Sequence, residues 1–139
     1  MEIARKEPYA SQEEFSQRVV RYRDVPPVEL FPGAKSHLVS AENMTVSFIT
    51  MSPNRYFVTH RHESEQVMIV VDGECDEIVE GKLYHLKAGD VLILPSNTEH
   101  GAYTSNRVCK AIDVFSPPRK NLVAKLKKVL GGKNETKTK

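Results

Sequence analysis

The sequence predicts an all-β domain, a sandwich or barrel of short antiparallel strands with an N-terminal arm and a short C-terminal helix. Three observations carry that expectation. Between residues 28 and 119, β-branched and aromatic residues come in brief runs. Turn signals separate these runs about every 8 to 12 residues, a spacing of sheets rather than helices. Glycine closes Asp72-Gly73, Glu80-Gly81 and Ala88-Gly89 between runs, where a tight connection needs positive φ.

Length and composition set the frame. With 139 residues there is room for one hydrophobic core. A hydrophobic content of 40% with 27% charged residues suits a globular chain, and no run approaches the ~18 apolar residues of a membrane span. Cys75 and Cys109 fall in no metal or redox spacing, which points to a reducing compartment rather than a disulfide scaffold.

The elements follow in order. Residues 1–27 read as an arm, polar and charged, with at most a helical turn or two around 12–20, where Phe15 and Val19 stand four apart. The opening MEIARKEPYASQEEF has no apolar stretch of the secretory kind, so a cytoplasmic location is expected. Residues 28–119 form the barrel, with strands expected at 36–39, 44–51, 56–60, 66–71, 74–80, 82–86, 90–94, 100–104 and 107–115. The strand 66–71 is apolar on both faces, with Val67, Ile69 and Val71 alternating with Met68 and Val70. Its outward set needs cover, and a homodimer would supply it. In the last strand Cys109, Ala111, Asp113 and Phe115 share one face and Lys110, Ile112 and Val114 the other. Lys110 belongs outside, which turns Asp113 inward, where a carboxylate must be paired or chemically employed. Arg119, just past Pro117-Pro118, offers a planar fork suited to carboxylates, either as the partner of Asp113 or as a substrate clamp.

After the prolines, residues 120–132 read as a short basic helix. Leu122, Leu126, Val129 and Leu130 lie on one face, Lys125, Lys127 and Lys128 elsewhere, and Gly131-Gly132 acts as a stop. Such a helix must pack on something, as a cap over the barrel or a dimer contact. Residues 133–139 are expected to be disordered. Arg119 onward carries eight Lys or Arg against one acid, Glu135, whereas residues 1–118 carry 12 bases and 17 acids. The folded body is therefore acidic, which argues against nucleic acid and against a membrane surface as partners.

Three of the five histidines form a chemical pattern. His60 and His62 stand one residue apart at a strand end, and period 2 turns both imidazoles to one face, which is half of a metal site. Gln66 opens the next strand with a side-chain carbonyl, and a closed barrel brings His100 opposite the pair. Three imidazoles and one amide oxygen leave one or two open positions on a divalent first-row ion such as Ni, Fe, Mn, Co or Zn. Glu65 is a rival to Gln66, but alternation points it the other way. His37 and His85 read as satisfied polar residues outside this set.

Residues 54–73 read N-x5-H-x-H-x3-Q-x6-G and residues 89–100 read G-x5-P-x-N-x2-H. These resemble the two motifs of the cupin superfamily, with every spacing up to His100 kept across 33–119. The resemblance implies a jelly roll of two antiparallel sheets with a metal inside one mouth, held by His60, His62, Gln66 and His100. Asn54 and Asn97 replace the usual glycines, and asparagine also tolerates the left-handed region. Gln66 replaces the glutamate of many cupins and leaves the ion its full double charge. The segment AIDVFSPPR, with Asp113, Phe115 and Arg119, is similar to that of small cupins that ketonise 4,5-unsaturated monouronates from pectin and alginate breakdown. It implies catalytic roles for those three residues on a small anionic substrate. Two alternatives stay open: an Fe(II) dioxygenase or Mn-dependent lyase on another small molecule, and a non-catalytic module that senses a sugar acid or metal.

Overall fold

In the computed structural model the structure describes the backbone of residues 1–138 and the side chains of residues 1–131. Ten strands follow a short helix α1 (Gln12–Arg18) and a 3-10 turn (Tyr22–Asp24): β1 (Val28–Phe31), β2 (Ala34–Ser40), β3 (Thr45–Met51), β4 (Tyr56–His60), β5 (Glu65–Asp72), β6 (Glu74–Val79), β7 (Lys82–Lys87), β8 (Val91–Leu94), β9 (His100–Thr104) and β10 (Cys109–Ser116). Helix α2 (Lys120–Thr138) closes the chain. The strands form two antiparallel sheets, one ordered β1-β2-β3-β10-β5-β8 and the other β4-β9-β6-β7. This is the jelly roll expected from the sequence.

Strand period puts the core between the sheets. In β10, Cys109, Ala111, Asp113 and Phe115 are buried while Lys110 is exposed, as alternation requires. Met51, Phe57, Met68, Val70 and Leu86 fill the space between the two sheets. Asn54 and Asn97 adopt φ of 56° and 62°, so both take the left-handed turn that glycine would otherwise provide. The 28–31 segment is a strand that the sequence reading places in the barrel without assigning it as one. Its four residues sit between Pro27 and Pro32, too few for alternation to show, and pairing with β2 holds them.

The termini differ in how they are held. Helix α1 has a capping box, with Ser11 Oγ accepting from the Glu14 backbone N–H and Glu14 accepting from that of Ser11, yet it buries no residue. Tyr22 stacks on Phe48 at 3.9 Å between ring centroids, so the 3-10 turn shields part of the outer face of the six-stranded sheet. His37 lies under this turn and meets the Val25 carbonyl at 2.7 Å. Helix α2 docks through Leu122, with Leu126 and Val129, onto Val28, Leu38 and Phe115. Burying Leu122 contributes about 2 kcal/mol by removing its side chain from water. Leu130 does not join this face: it is 40% exposed, because position 130 has rotated past the contact with the barrel. The helix also continues to Thr138 instead of ending at 132, since Gly131 and Gly132 cost about 1 kcal/mol each but leave helical geometry accessible. The expected disordered tail, 133–139, falls where side chains lie outside the described residues. Among the described residues, no helix is long and apolar enough to cross a membrane.

Candidate metal centre

His60 is the last residue of β4 and pairs in register with His100, the first residue of β9. The strand stops before His62, so the loop rather than strand period brings its ring in, with centroids 4.9 Å from His100 and 5.6 Å from His60. One ligand nitrogen from each of the three lies within 4.8 Å of the others. Gln66 is buried at the start of β5 and its neighbour Glu65 is exposed, so alternation turns the amide, not the carboxylate, inward.

The hydrogen bonds around the cluster assign its free lone pairs. Each histidine uses Nδ1 toward a backbone carbonyl: His60 to Val58 at 3.4 Å, His62 to Ser64 at 2.8 Å and His100 to Thr98 at 2.8 Å. With Nδ1 carrying the proton, each Nε2 presents a lone pair. Gln66 Nε2 donates to Asp113 Oδ1 at 2.9 Å, which turns its Oε1 toward His62 Nε2 at 3.0 Å. Two acceptors then face each other at hydrogen-bond distance, an arrangement that a cation relieves. Protonating His62 would also relieve it, but burial and the Arg119 charge push its pKa down. Burial lowers the pKa of His60 as well, and that of His100 to about 4. The cluster is therefore neutral nitrogen and amide oxygen at neutral pH, a donor set that fits a divalent transition ion.

A cavity of about 130 Å³ opens beside this cluster. His60, Gln66 and His100 line it, together with Asp113, Phe115 and Arg119. Asp113 is buried, and desolvation raises its pKa to about 6 against the Gln66 hydrogen bond and the Arg119 charge, which pull it down. Arg119 is not its ion-pair partner. The guanidinium lies over the Phe115 ring, 4.9 Å from the centroid, and Nε–H reaches Asn121 Oδ1 at 3.4 Å. Among the described residues the ion pairs are surface ones, such as Arg61 with Glu99 at 3.2 Å. The crossover that carries Arg119 is tied down by its own backbone N–H to Thr45 Oγ1 at 3.1 Å and by Ser64 Oγ–H to the Pro117 carbonyl at 2.5 Å. Phe115 packs its ring edge-on against His62 at 5.5 Å, so one aromatic ring positions both the imidazole and the guanidinium.

Three polar residues of the cavity fall outside the site set expected from the sequence. Glu77 is buried in β6, while Asn121 and Lys125 come from α2. The run ECDEIV mixes acids and apolar residues in both phases, so alternation alone does not choose the inward set. Asn121 and Lys125 are four apart beside Leu122, a visible spacing, but only docking of α2 makes it a wall of the cavity. His85 is exposed on β7 and pairs with Asp76 at 2.7 Å, away from the cavity.

Residues 47–115 match the family model of the cupin domain. The pectin degradation protein KdgF of Dickeya dadantii (strain 3937) is 26% identical over 98 residues, spanning 69% of this chain and 89% of that protein. The structure of KdgF from Halomonas sp. superposes with a TM-score of 0.65 at 26% identity, covering 70% of this chain and 92% of the other. An RmlC-like cupin from Shewanella frigidimarina NCIMB 400 gives a TM-score of 0.69 at 25% identity, with 76% and 95% covered.

Proposed function

This chain belongs to the cupin superfamily, and from that premise we propose that it is a metal-dependent enzyme that opens and ketonises a 4,5-unsaturated monouronate. The observation that carries the reading is the shared cavity: His60, His100 and Gln66 line it together with Asp113 and Arg119. Similarity to two KdgF proteins, one of them described by its role in pectin degradation, supports the substrate class.

The reaction is an isomerisation and needs one mobile proton and one anchored carboxylate. Arg119, held over the Phe115 ring, binds the substrate carboxylate. Asp113 takes the proton of the anomeric hydroxyl as the ring carbon–oxygen bond breaks to leave an aldehyde and an enolate, and then returns it to the enolate carbon. Burial suits it to this exchange, because a carboxyl near pH 6 both accepts and donates at neutral pH. Gln66 holds Asp113 in place by its 2.9 Å hydrogen bond. His60, His62, His100 and Gln66 would hold a divalent ion, which when bound would supply positive charge to stabilise an oxyanion.

The test is turnover of a 4,5-unsaturated monouronate followed by NMR, with metal content measured in parallel. Asp113→Asn lowers kcat by about 10²- to 10⁴-fold, the usual worth of a positioned general acid-base group. Arg119→Ala acts mainly on KM. Unchanged turnover in both variants at full metal occupancy refutes the assignment.

A second copy of the chain covers the outer face of β5 and β8 in this reading, where Val67 pairs with Ile93 and Ile69 with Val91. Ile93 is 64% exposed and Val91 55%. Light scattering gives twice the chain mass for the native protein and the single mass for Ile93→Lys; a monomeric native protein sinks this part of the proposal.

A further inference from the structure

The cavity holds a further polar group that the uronate mechanism leaves unused. Glu77 lies on β6 opposite Ala102 of β9, with Val79 of the same strand opposite His100. It is only 4% exposed and lines the cavity. Among the described residues its carboxyl makes no hydrogen bond and no ion pair, and no side-chain polar atom is both fully enclosed and unsatisfied. Its oxygens are therefore directed at the cavity itself. A leucine or methionine would fill this wall without the desolvation that a carboxyl suffers there.

Its chemistry at this spot is well defined. Burial, with Asp113 and the Cys109 thiol nearby, pushes the pKa of Glu77 up to about 8. At neutral pH it is mostly the undissociated acid, with one O–H donor and a carbonyl acceptor. Glu77 enters the cavity from β6 of the four-stranded sheet, whereas Arg119 stands at the start of α2, which packs on the six-stranded sheet. Lys125 joins Arg119 on the cavity lining, with its Nζ 3.4 Å from the Leu30 carbonyl. Phe31, Ile49, Met51 and Phe57 supply apolar walls. Cationic groups on the α2 side and an unpartnered hydrogen-bonding group on the β6 wall complement a ligand that carries an anion and, apart from it, a neutral oxygen.

We propose that Glu77 is a specificity-determining residue that hydrogen-bonds a hydroxyl or carbonyl oxygen of the bound acid remote from its carboxylate, and so selects hydroxylated sugar acids over plain carboxylates. This rests on the reading of the cavity as a sugar-acid site and deepens it. A buried polar group left unpaired discriminates strongly against a ligand that lacks its partner.

Calorimetric titration of the metal-loaded protein with galacturonate and with cyclohexanecarboxylate tests it, in wild type, Glu77→Leu and Glu77→Gln, with metal content measured in each. Wild type prefers galacturonate, Glu77→Leu reduces that preference about 10-fold, and Glu77→Gln, which keeps an N–H donor, retains it within about 3-fold. A preference unchanged in Glu77→Leu, lost equally in Glu77→Gln, or absent from wild type overturns the proposal. Should Glu77→Leu not fold, difference infrared spectroscopy of wild type decides. The carboxylic carbonyl band that disappears in Glu77→Gln shifts on adding galacturonate and not on adding cyclohexanecarboxylate; a band that ignores both overturns the proposal. The two readings fail separately. Loss of the Glu77-dependent preference with uronate turnover intact removes Glu77 alone, whereas an intact preference without turnover removes the isomerase.

Discussion

Replacing Glu77 by glutamine changes how stability depends on pH, and the structure sets both sign and size. In the unfolded chain this carboxyl titrates near its ordinary 4.5, and in the fold near 8. Between those values the folded state keeps a proton that the unfolded state has released, so stability is lost as pH rises across the window. One proton corresponds to about 1.4 kcal/mol per pH unit, so going from pH 5.5 to 7.5 costs wild type on the order of 2–3 kcal/mol that Glu77→Gln does not lose. The histidines act in the opposite direction. Their folded pKa values lie below the ordinary 6.5, so each is stabilising above its unfolded pKa and that stability is lost as pH falls. They are common to both proteins and cancel in the difference. Urea unfolding at pH 5.5, 6.5 and 7.5 measures it, with metal removed by a chelator because metal binding to the histidines is itself pH-dependent and adds to apparent stability. If the two stability curves run parallel across this range, Glu77 is ionised in the fold and its role as a hydrogen-bond donor is lost.

Two further outcomes follow from the geometry. A Cβ on Gly101 would lie 2.5 Å from the Phe57 carbonyl oxygen and 3.0 Å from the Thr59 nitrogen, so Gly101→Ala forces β4 away from β9. It lowers stability by about 1–3 kcal/mol and, by separating His60 from His100, weakens metal binding; thermal melts with and without metal show both losses, and a metal-induced rise in Tm equal to that of wild type contradicts the second. Gln66→Glu places a second carboxylate beside Asp113, where the amide now donates at 2.9 Å. The metal-free protein melts lower because two buried carboxyls repel or must share a proton, while metal affinity rises because an anionic ligand replaces a neutral one. Calorimetry with and without metal separates these opposite effects, and a fall in both stability and affinity counts against Gln66 as a ligand.

Much of this architecture is legible along the chain because it is local. The inward phase of β10 follows from one charged residue, Lys110, and the burial of Asp113 follows from that phase. Asn54 and Asn97 occupy turns whose positive φ few other residues accept. The motif spacings place His60 and His100 at strand ends and His62 in the loop after β4, and the barrel brings the three together. Other features depend on what stands across the barrel. The acid-rich run of β6 has no dominant phase, so Glu77 becomes a cavity residue only once β6 lies beside β9. Sequence arguments turn Asp113 inward and leave Arg119 as either its partner or a substrate clamp, and whether the two pair is decided by their neighbours. Gln66 on the adjacent strand reaches the carboxylate, and the Phe115 ring captures the guanidinium.

Helix α2 shows the same division. Its amphipathic spacing declares that Leu122, Leu126 and Val129 need a partner, but its docking against β1 and β2 places Asn121 and Lys125 on the cavity. By itself, then, the sequence determined most of the strands, the turns and, where one apolar or charged set dominates, the face its side chains take, because period and turn chemistry act over a few residues. The tertiary structure alone decided which inward groups meet, because that depends on sheet order and on the packing of elements far apart in the chain. The candidate metal cluster belongs to both: its donors are written in the motifs, and the orientation of their lone pairs comes from carbonyls and an aspartate that only the folded barrel brings into reach.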